Sequence, residues 1–144
     1  MSESSNKLPK GVRLLEHTAD VGIQVQAHTL ESLFVRAAEG MFSIMLESQR
    51  SGAVQNKSVS VTGRDQEELL VNWLSELNFL AQSEFCVPIR YHISAMSATK
   101  LVATIEAGLL TANQFNTEIK AVTYHLLTVY SRNDQWFARI IFDI

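Results

Sequence analysis

At His28 and Thr29 the hydrophobic period of this chain changes from about two residues to about 3.6, and that junction constrains the fold more than any other feature. Before it, Val21, Ile23, Val25 and Ala27 alternate with Gly22, Gln24 and Gln26, the pattern of a half-buried strand. After it, Leu30, Leu33, Phe34, Ala37, Ala38, Met41, Phe42 and Met45 follow i, i+3, i+4, i+7 spacing, with Thr29 placed as N-cap. A strand feeding directly into an amphipathic helix implies layers, helix against sheet. The methionines and phenylalanines of this helix are read as core packing rather than a cofactor box.

The remainder of the chain extends the same scheme. ESQRSGAVQNK is a turn-rich connection, and SVSVTG offers a short alternating strand with Val59 and Val61 on one face. A second helix follows, in which Asp65 and Glu68 have the spacing of a capping box and Leu70, Trp73, Leu74, Leu77, Leu80 and Ala81 form the buried stripe. Beyond Glu84 the pattern predicts strands alone, at roughly 89–95, 99–107, 118–130 and 135–143, separated by the SAT turn near Ser97, the GLLTANQFN loop and the RNDQ turn. The fold class expected is α+β, two amphipathic helices packed on a mixed or antiparallel sheet.

At 144 residues and 47% hydrophobic, the chain suffices for one sizeable core. Residues 1–10 read as a loose polar lead-in and 11–144 as a single domain. Twelve basic against fifteen acidic residues, net −3, provide no basic stripe, which argues against strong direct nucleic-acid binding. The single cysteine, Cys86, excludes an internal disulfide and a thiolate metal site and fits a reducing compartment, with Cys86 read as packing. No apolar run is long enough to cross a bilayer and no signal core precedes the domain, so a cytoplasmic location is expected.

The final strand raises a chemical question. Its alternation places Phe137, Arg139, Ile141 and Asp143 on one face and Trp136, Ala138, Ile140, Phe142 and Ile144 on the other. A side-chain carboxylate thus sits beside the terminal one. Two such charges about 4 Å apart repel by roughly 4 kcal/mol at an effective dielectric near 20. Protonation, a basic partner such as Arg139, exposure to water or a bound cation would each relieve this. An all-carboxylate cluster would select a hard divalent ion, whereas a solvated chain end needs none. Glu16, His17 and Asp20 form a second cluster at the entrance of the first strand. On residue type alone they read as a surface charge, a core histidine and a turn residue. A strand order that set Asp20 beside the chain end would join the two clusters.

Four segments, EHTADVGIQV (16–25), TLESLFVRAAEGMFSIM (29–45), EIKAVTYHLLTV (118–129) and WFARIIFDI (136–144), together resemble the archease family, activators of the GTP-dependent tRNA-splicing RNA ligase. The resemblance implies an α+β fold with a small additional sheet formed by inserted strands. It implies one divalent cation, calcium in structures with magnesium or manganese as alternatives, held by Asp20, Asp143 and the main-chain carboxylate of Ile144. Under that reading the chain ends where it does because its last atoms are ligands. Lys120 and His17 are implied as outer or partner-contact groups, and His125 is either structural or functional. One departure stands out. Where archeases commonly carry Gly-Glu and a downstream His, this chain has Gly108-Leu109-Leu110 and Asn116, which places partner fit or metal affinity in question.

The function expected from the resemblance is non-enzymatic: promoting guanylylation and multiple turnover of the ligase in tRNA splicing and RNA repair. Two rivals stand beside it. A small metal-dependent phosphoester hydrolase would use the same carboxylates to activate water, though no nucleophile–base pair or phosphate-cradling loop is evident. A chaperone-like modulator of a tRNA methyltransferase would need a different partner.

Overall fold

The computed structural model describes residues 8–16, 20–47, 54–111 and 114–144. These fall into two compact units, one built from the segments 1–45 and 117–144 and the other from 46–116. Each has its own antiparallel sheet and its own helix. The α+β expectation, two helices packed on antiparallel sheets, therefore holds.

The first unit contains β1 (Val12–Glu16), β2 (Asp20–Ala27), α1 (Leu30–Met45), β6 (Ala121–Val122), β7 (Thr128–Arg132) and β8 (Gln135–Asp143). Its strand order is β1-β2-β8-β6, with β7 also pairing β8. Since Arg139 pairs with Gln24 of β2 and with Thr128 of β7, β7 lies on the side of β8 away from β2. Helix α1 packs on β1, β2 and β8 and buries the predicted stripe from Leu33 to Met45, together with Gly40; Leu30 is only half-buried. A Cβ at Gly40 would lie 2.9 Å from Ile23 Cδ1 and 3.0 Å from Val12 Cγ1, so a glycine lets the helix settle closely on the strands. The cap is as expected: the Ser32 N–H donates to Thr29 Oγ1 at 3.0 Å.

One strand of this unit lies outside the sequence reading and one expectation needs correction. The pattern does not predict β1, because VRLLE lacks strict alternation and forms an edge of the sheet, where alternate residues leave both backbone groups unpaired. The strand expected over 118–130 is not continuous either; β6 ends at Val122, and a turn occupies 123–127. Leu126 adopts a left-handed φ of 56° and the Leu127 N–H donates to the Tyr124 carbonyl at 3.3 Å, a geometry no strand sustains. His125 is thus an exposed turn residue, not part of a strand. The RNDQ turn is a two-residue hairpin with positive φ at both Asn133 (54°) and Asp134 (61°), the primed form that matches strand twist, and these side chains tolerate the left-handed region.

The second unit contains β3 (Val54–Thr62), α2 (Gln66–Glu84), β4 (Cys86–Met96) and β5 (Lys100–Leu109), in the order β3-β5-β4. Helix α2 packs on all three strands and buries the expected stripe, widened by Leu69, Val71 and Asn78. Cys86 is free and buried. Asp65 caps the helix from an extended backbone (φ −155°), its Oδ1 accepting the Glu68 N–H at 2.8 Å. The return bond differs from a standard capping box: Glu68 Oε1 accepts the N–H of Arg64, at 2.7 Å, and the carboxylate also takes the Arg64 guanidinium.

Those bonds from Arg64 hold the Glu68 carboxyl below its ordinary pKa. A depressed carboxylate contributes stability above the unfolded pKa and loses it as pH falls through the folded one; the exposed position of its partner Arg64 keeps that contribution small. The cap itself matters more. Asp65→Ala is expected to lower stability by ~1 kcal/mol, read as a shift in urea midpoint without a change in slope.

Candidate metal site

The site begins with register. In the β2–β8 pairing Asp20 lies opposite Asp143, Gly22 opposite Ile141, and Gln24 opposite Arg139. Residues directly opposite each other in an antiparallel pair project to the same face, with Cβ atoms about 4.5–5.5 Å apart. The two aspartates therefore share a face. It is the face away from α1, since Ile23, of the opposite parity, is the residue that meets Gly40 of the helix. Gly22 keeps this register tight, for a Cβ there would lie 2.8 Å from the Ile140 carbonyl oxygen.

On the other side of β8, Ala121 pairs with Asp143 and the Lys120 N–H donates to the Asp143 carbonyl at 2.8 Å. Thr123 donates twice to the Ile141 carbonyl, through N–H at 3.0 Å and Oγ1 at 2.8 Å. The KAVT segment is thus bound to the last strand along its backbone, fixing Asp143 from both sides. Ile144 follows by one trans peptide, its Cα about 3.8 Å from that of Asp143.

Like charges directly opposite one another destabilise a strand pair. The burial is uneven: Asp143 is exposed while Asp20 and Ile144 are half-buried. Within Asp20, Oδ1 is shielded from solvent and accepts no hydrogen bond from any described residue. A buried acceptor left unpaired costs about 1–3 kcal/mol, more if charged. A cation in front of Asp20 and Asp143 would satisfy that oxygen and cancel the repulsion. The donor set, two aspartates and a terminal carboxylate, fits a hard divalent ion. Among the described residues no group of three His, Cys, Asp or Glu side chains comes together; the set here has only two such side chains, the third group belonging to the main chain.

The other expected residues divide. The Lys120 backbone belongs to the site, but its side chain is exposed. His17 lies outside the described residues. His125 donates its N–H to Thr123 Oγ1 at 3.3 Å, a local turn bond. In the second unit, Gly108 and Leu109 end β5, and the buried Leu110 donates its N–H to the Phe85 carbonyl at 2.9 Å. The departure at 109–110 therefore gives this segment an apolar, packed role. Sequence reasoning missed Thr123 altogether, although a hydroxyl residue just after a short strand is a recurrent signal for a side-chain-to-backbone clamp.

Residues 13–144 match the model of the Archease protein family (MTH1598/TM1083). The chain belongs to the archease family. Among similar relatives is protein archease of Methanosarcina acetivorans, 33% identical, the match covering 94% of this chain and 97% of the relative. That of Methanothermobacter thermautotrophicus is 29% identical, with 94% and 99% covered. Among solved structures, the solution structure of Methanobacterium thermoautotrophicum protein 1598 superposes with a TM-score of 0.71 at 28% identity, covering 94% of this chain and all of that one. The crystal structure of an archease from Thermotoga maritima, at 22% identity and a TM-score of 0.60 over 90% of this chain and 94% of its own, shares the fold. The span matched includes Asp20, Lys120, Asp143 and Ile144.

Proposed function

We propose that this archease is a non-enzymatic activator of the GTP-dependent tRNA-splicing RNA ligase, acting through one divalent cation held by Asp20, Asp143 and the terminal carboxylate of Ile144. The observation that carries the reading is the pairing of Asp20 with Asp143 across β2 and β8, with a shielded Asp20 oxygen that accepts no hydrogen bond from any described residue. Membership of the archease family supports the activity and partner that the resemblance implies, and the register supports the ligand set. A bound divalent ion would offset two of the three carboxylate charges and would supply a Lewis-acidic position at the end of the sheet.

The remaining work is done by the chain. The backbone of Asp143 is paired on both sides, so the position of its Cα is set before an ion binds. Lys120 keeps an exposed ammonium next to this end of the sheet, in position for an anionic group of the ligase. Whether activation transfers the ion or favours a nucleotide-admitting ligase conformation, the latter needs unequal affinity for two ligase states.

Asp143→Ala is the direct test. Its calcium affinity is expected to fall by more than the roughly 10–100-fold that loss of an outer partner costs, and stimulation of a cognate ligase in a multiple-turnover assay to fall with it. Unchanged stimulation by the folded variant would remove the site from the mechanism. Residues appended after Ile144 convert the terminal carboxylate to an amide, and the same losses are expected.

A further inference from the structure

Along the open face of the first unit's sheet, away from α1, the register sets side chains in successive rows. The acidic row is Asp20 and Asp143. Two rows further along, Arg13 pairs with Gln24, Gln24 with Arg139 and Arg139 with Thr128, giving a line across four strands. With strands about 4.7–4.9 Å apart, the two arginine Cα atoms are about 10 Å apart, within converging reach for side chains of that length. The next row places Gln26 opposite Phe137 and Phe137 opposite Tyr130. There the two rings stack, with centroids 5.1 Å apart and planes 18° from parallel, and Tyr130 remains 46% exposed.

These two rows line a depression of about 510 Å³ whose walls carry both arginines and no carboxylate, inside the range of small-molecule sites, roughly 300–1,000 Å³. Among the described residues neither guanidinium has an ion-pair partner, unlike Lys57, Arg64 and Arg90, which pair with Glu84, Glu68 and Glu106. Arg139 is nonetheless oriented, because its Nε donates to the Leu126 carbonyl at 2.7 Å. That bond leaves the two terminal nitrogens for another acceptor. In a chain of net charge −3, two uncompensated arginines beside a stacked aromatic pair are an unusual allocation of charge.

We propose that this depression binds a nucleoside 5′-phosphate, with the phosphate between Arg13 and Arg139 and the base stacked on the Tyr130–Phe137 pair. Arginine forks match phosphate oxygens in bidentate geometry, and Gln24 and Thr128 in the same row offer neutral hydrogen bonds. Aromatic faces accept any base by stacking. Adjacent rows on one face of a strand are about 6.8 Å apart, the scale of the separation between base and 5′-phosphate within one nucleotide. A carboxylate peptide would use the arginines and leave the aromatic row idle.

The test is calorimetric titration of the full chain, in EDTA so that no divalent ion contributes, with adenosine 5′-monophosphate, adenosine and inorganic phosphate separately. The nucleotide is expected to bind about tenfold or more tightly than either half. Arg13→Ala and Arg139→Lys each weaken it by about tenfold, and Tyr130→Ala weakens the nucleotide while leaving phosphate unchanged. The proposal is overturned if millimolar nucleotide gives no heat, if phosphate binds as tightly as the nucleotide, or if Arg13→Ala with an unaltered circular dichroism spectrum retains full affinity. Because the titration excludes metal, failure of the carboxylate site would not affect its result.

Discussion

Trp73→Ala is expected to cost about 3–5 kcal/mol, the range for removing a large aromatic from a packed core. Trp73 is fully buried on α2, with its ring 6.3 Å from that of Tyr91 on β4 and tilted by 57°. The substitution removes both the transfer energy of the indole and the packing of its neighbours, and the cavity cannot collapse while three strands hold the floor. A loss of that size is a large share of the roughly 5–15 kcal/mol that holds a domain together. It should appear as loss of hydrogen-exchange protection through β3, β4 and β5, the strands α2 covers. Phe79 on the same helix is 60% exposed, and Phe79→Ala is expected to stay within about 0.5 kcal/mol. Equal losses from the two substitutions would show that α2 does not present the face described.

Calcium is expected to raise the stability of the chain by about 2.7 kcal/mol when present at a hundredfold excess over its dissociation constant, and Asp20→Asn is expected to abolish that gain. In EDTA the sign differs. The variant should be as stable as the natural chain or slightly more so, since it removes one of two carboxylates set opposite each other. This crossing of effects separates a ligand from a merely structural aspartate, whose loss would destabilise equally with and without the ion. The shift should register in the amides of β2 and β8, which carry the two aspartates. A calcium-dependent gain that persists in Asp20→Asn would exclude Asp20 from the coordination sphere.

Both results turn on features of different legibility. The Trp73 stripe was readable because a helix buries every third or fourth residue, and both helix starts were marked by capping residues, Thr29 and Asp65, whose hydrogen bonds span three residues. The 135–143 strand and the turn before it were equally plain, one from alternation and the other from Asn133 and Asp134, which accept left-handed backbone. The break at 123–127 was not readable. KAVTYHLL carries strand-like residues throughout, and what interrupts it is the clamp of Thr123 on Ile141 together with the left-handed Leu126, neither visible in residue type. β1 escaped for a related reason: as an edge strand it is exposed enough that Leu14 remains 37% accessible, so selection for alternation is weak.

The candidate site shows the division most clearly. The sequence by itself determined that carboxylates crowd the entrance of one strand and the end of another, and the family resemblance named them together. Only the tertiary structure decided that Asp20 and Asp143 are direct partners on one face, that one oxygen of Asp20 is shielded, and that Arg13 and Arg139 share a row. Helix caps and periodicities are written in contacts a few residues apart, which local sequence specifies. Strand register joins segments from opposite ends of the chain, and it is fixed by burial of whole faces and by close approaches such as Gly22 against Ile140, which no short window of residues contains.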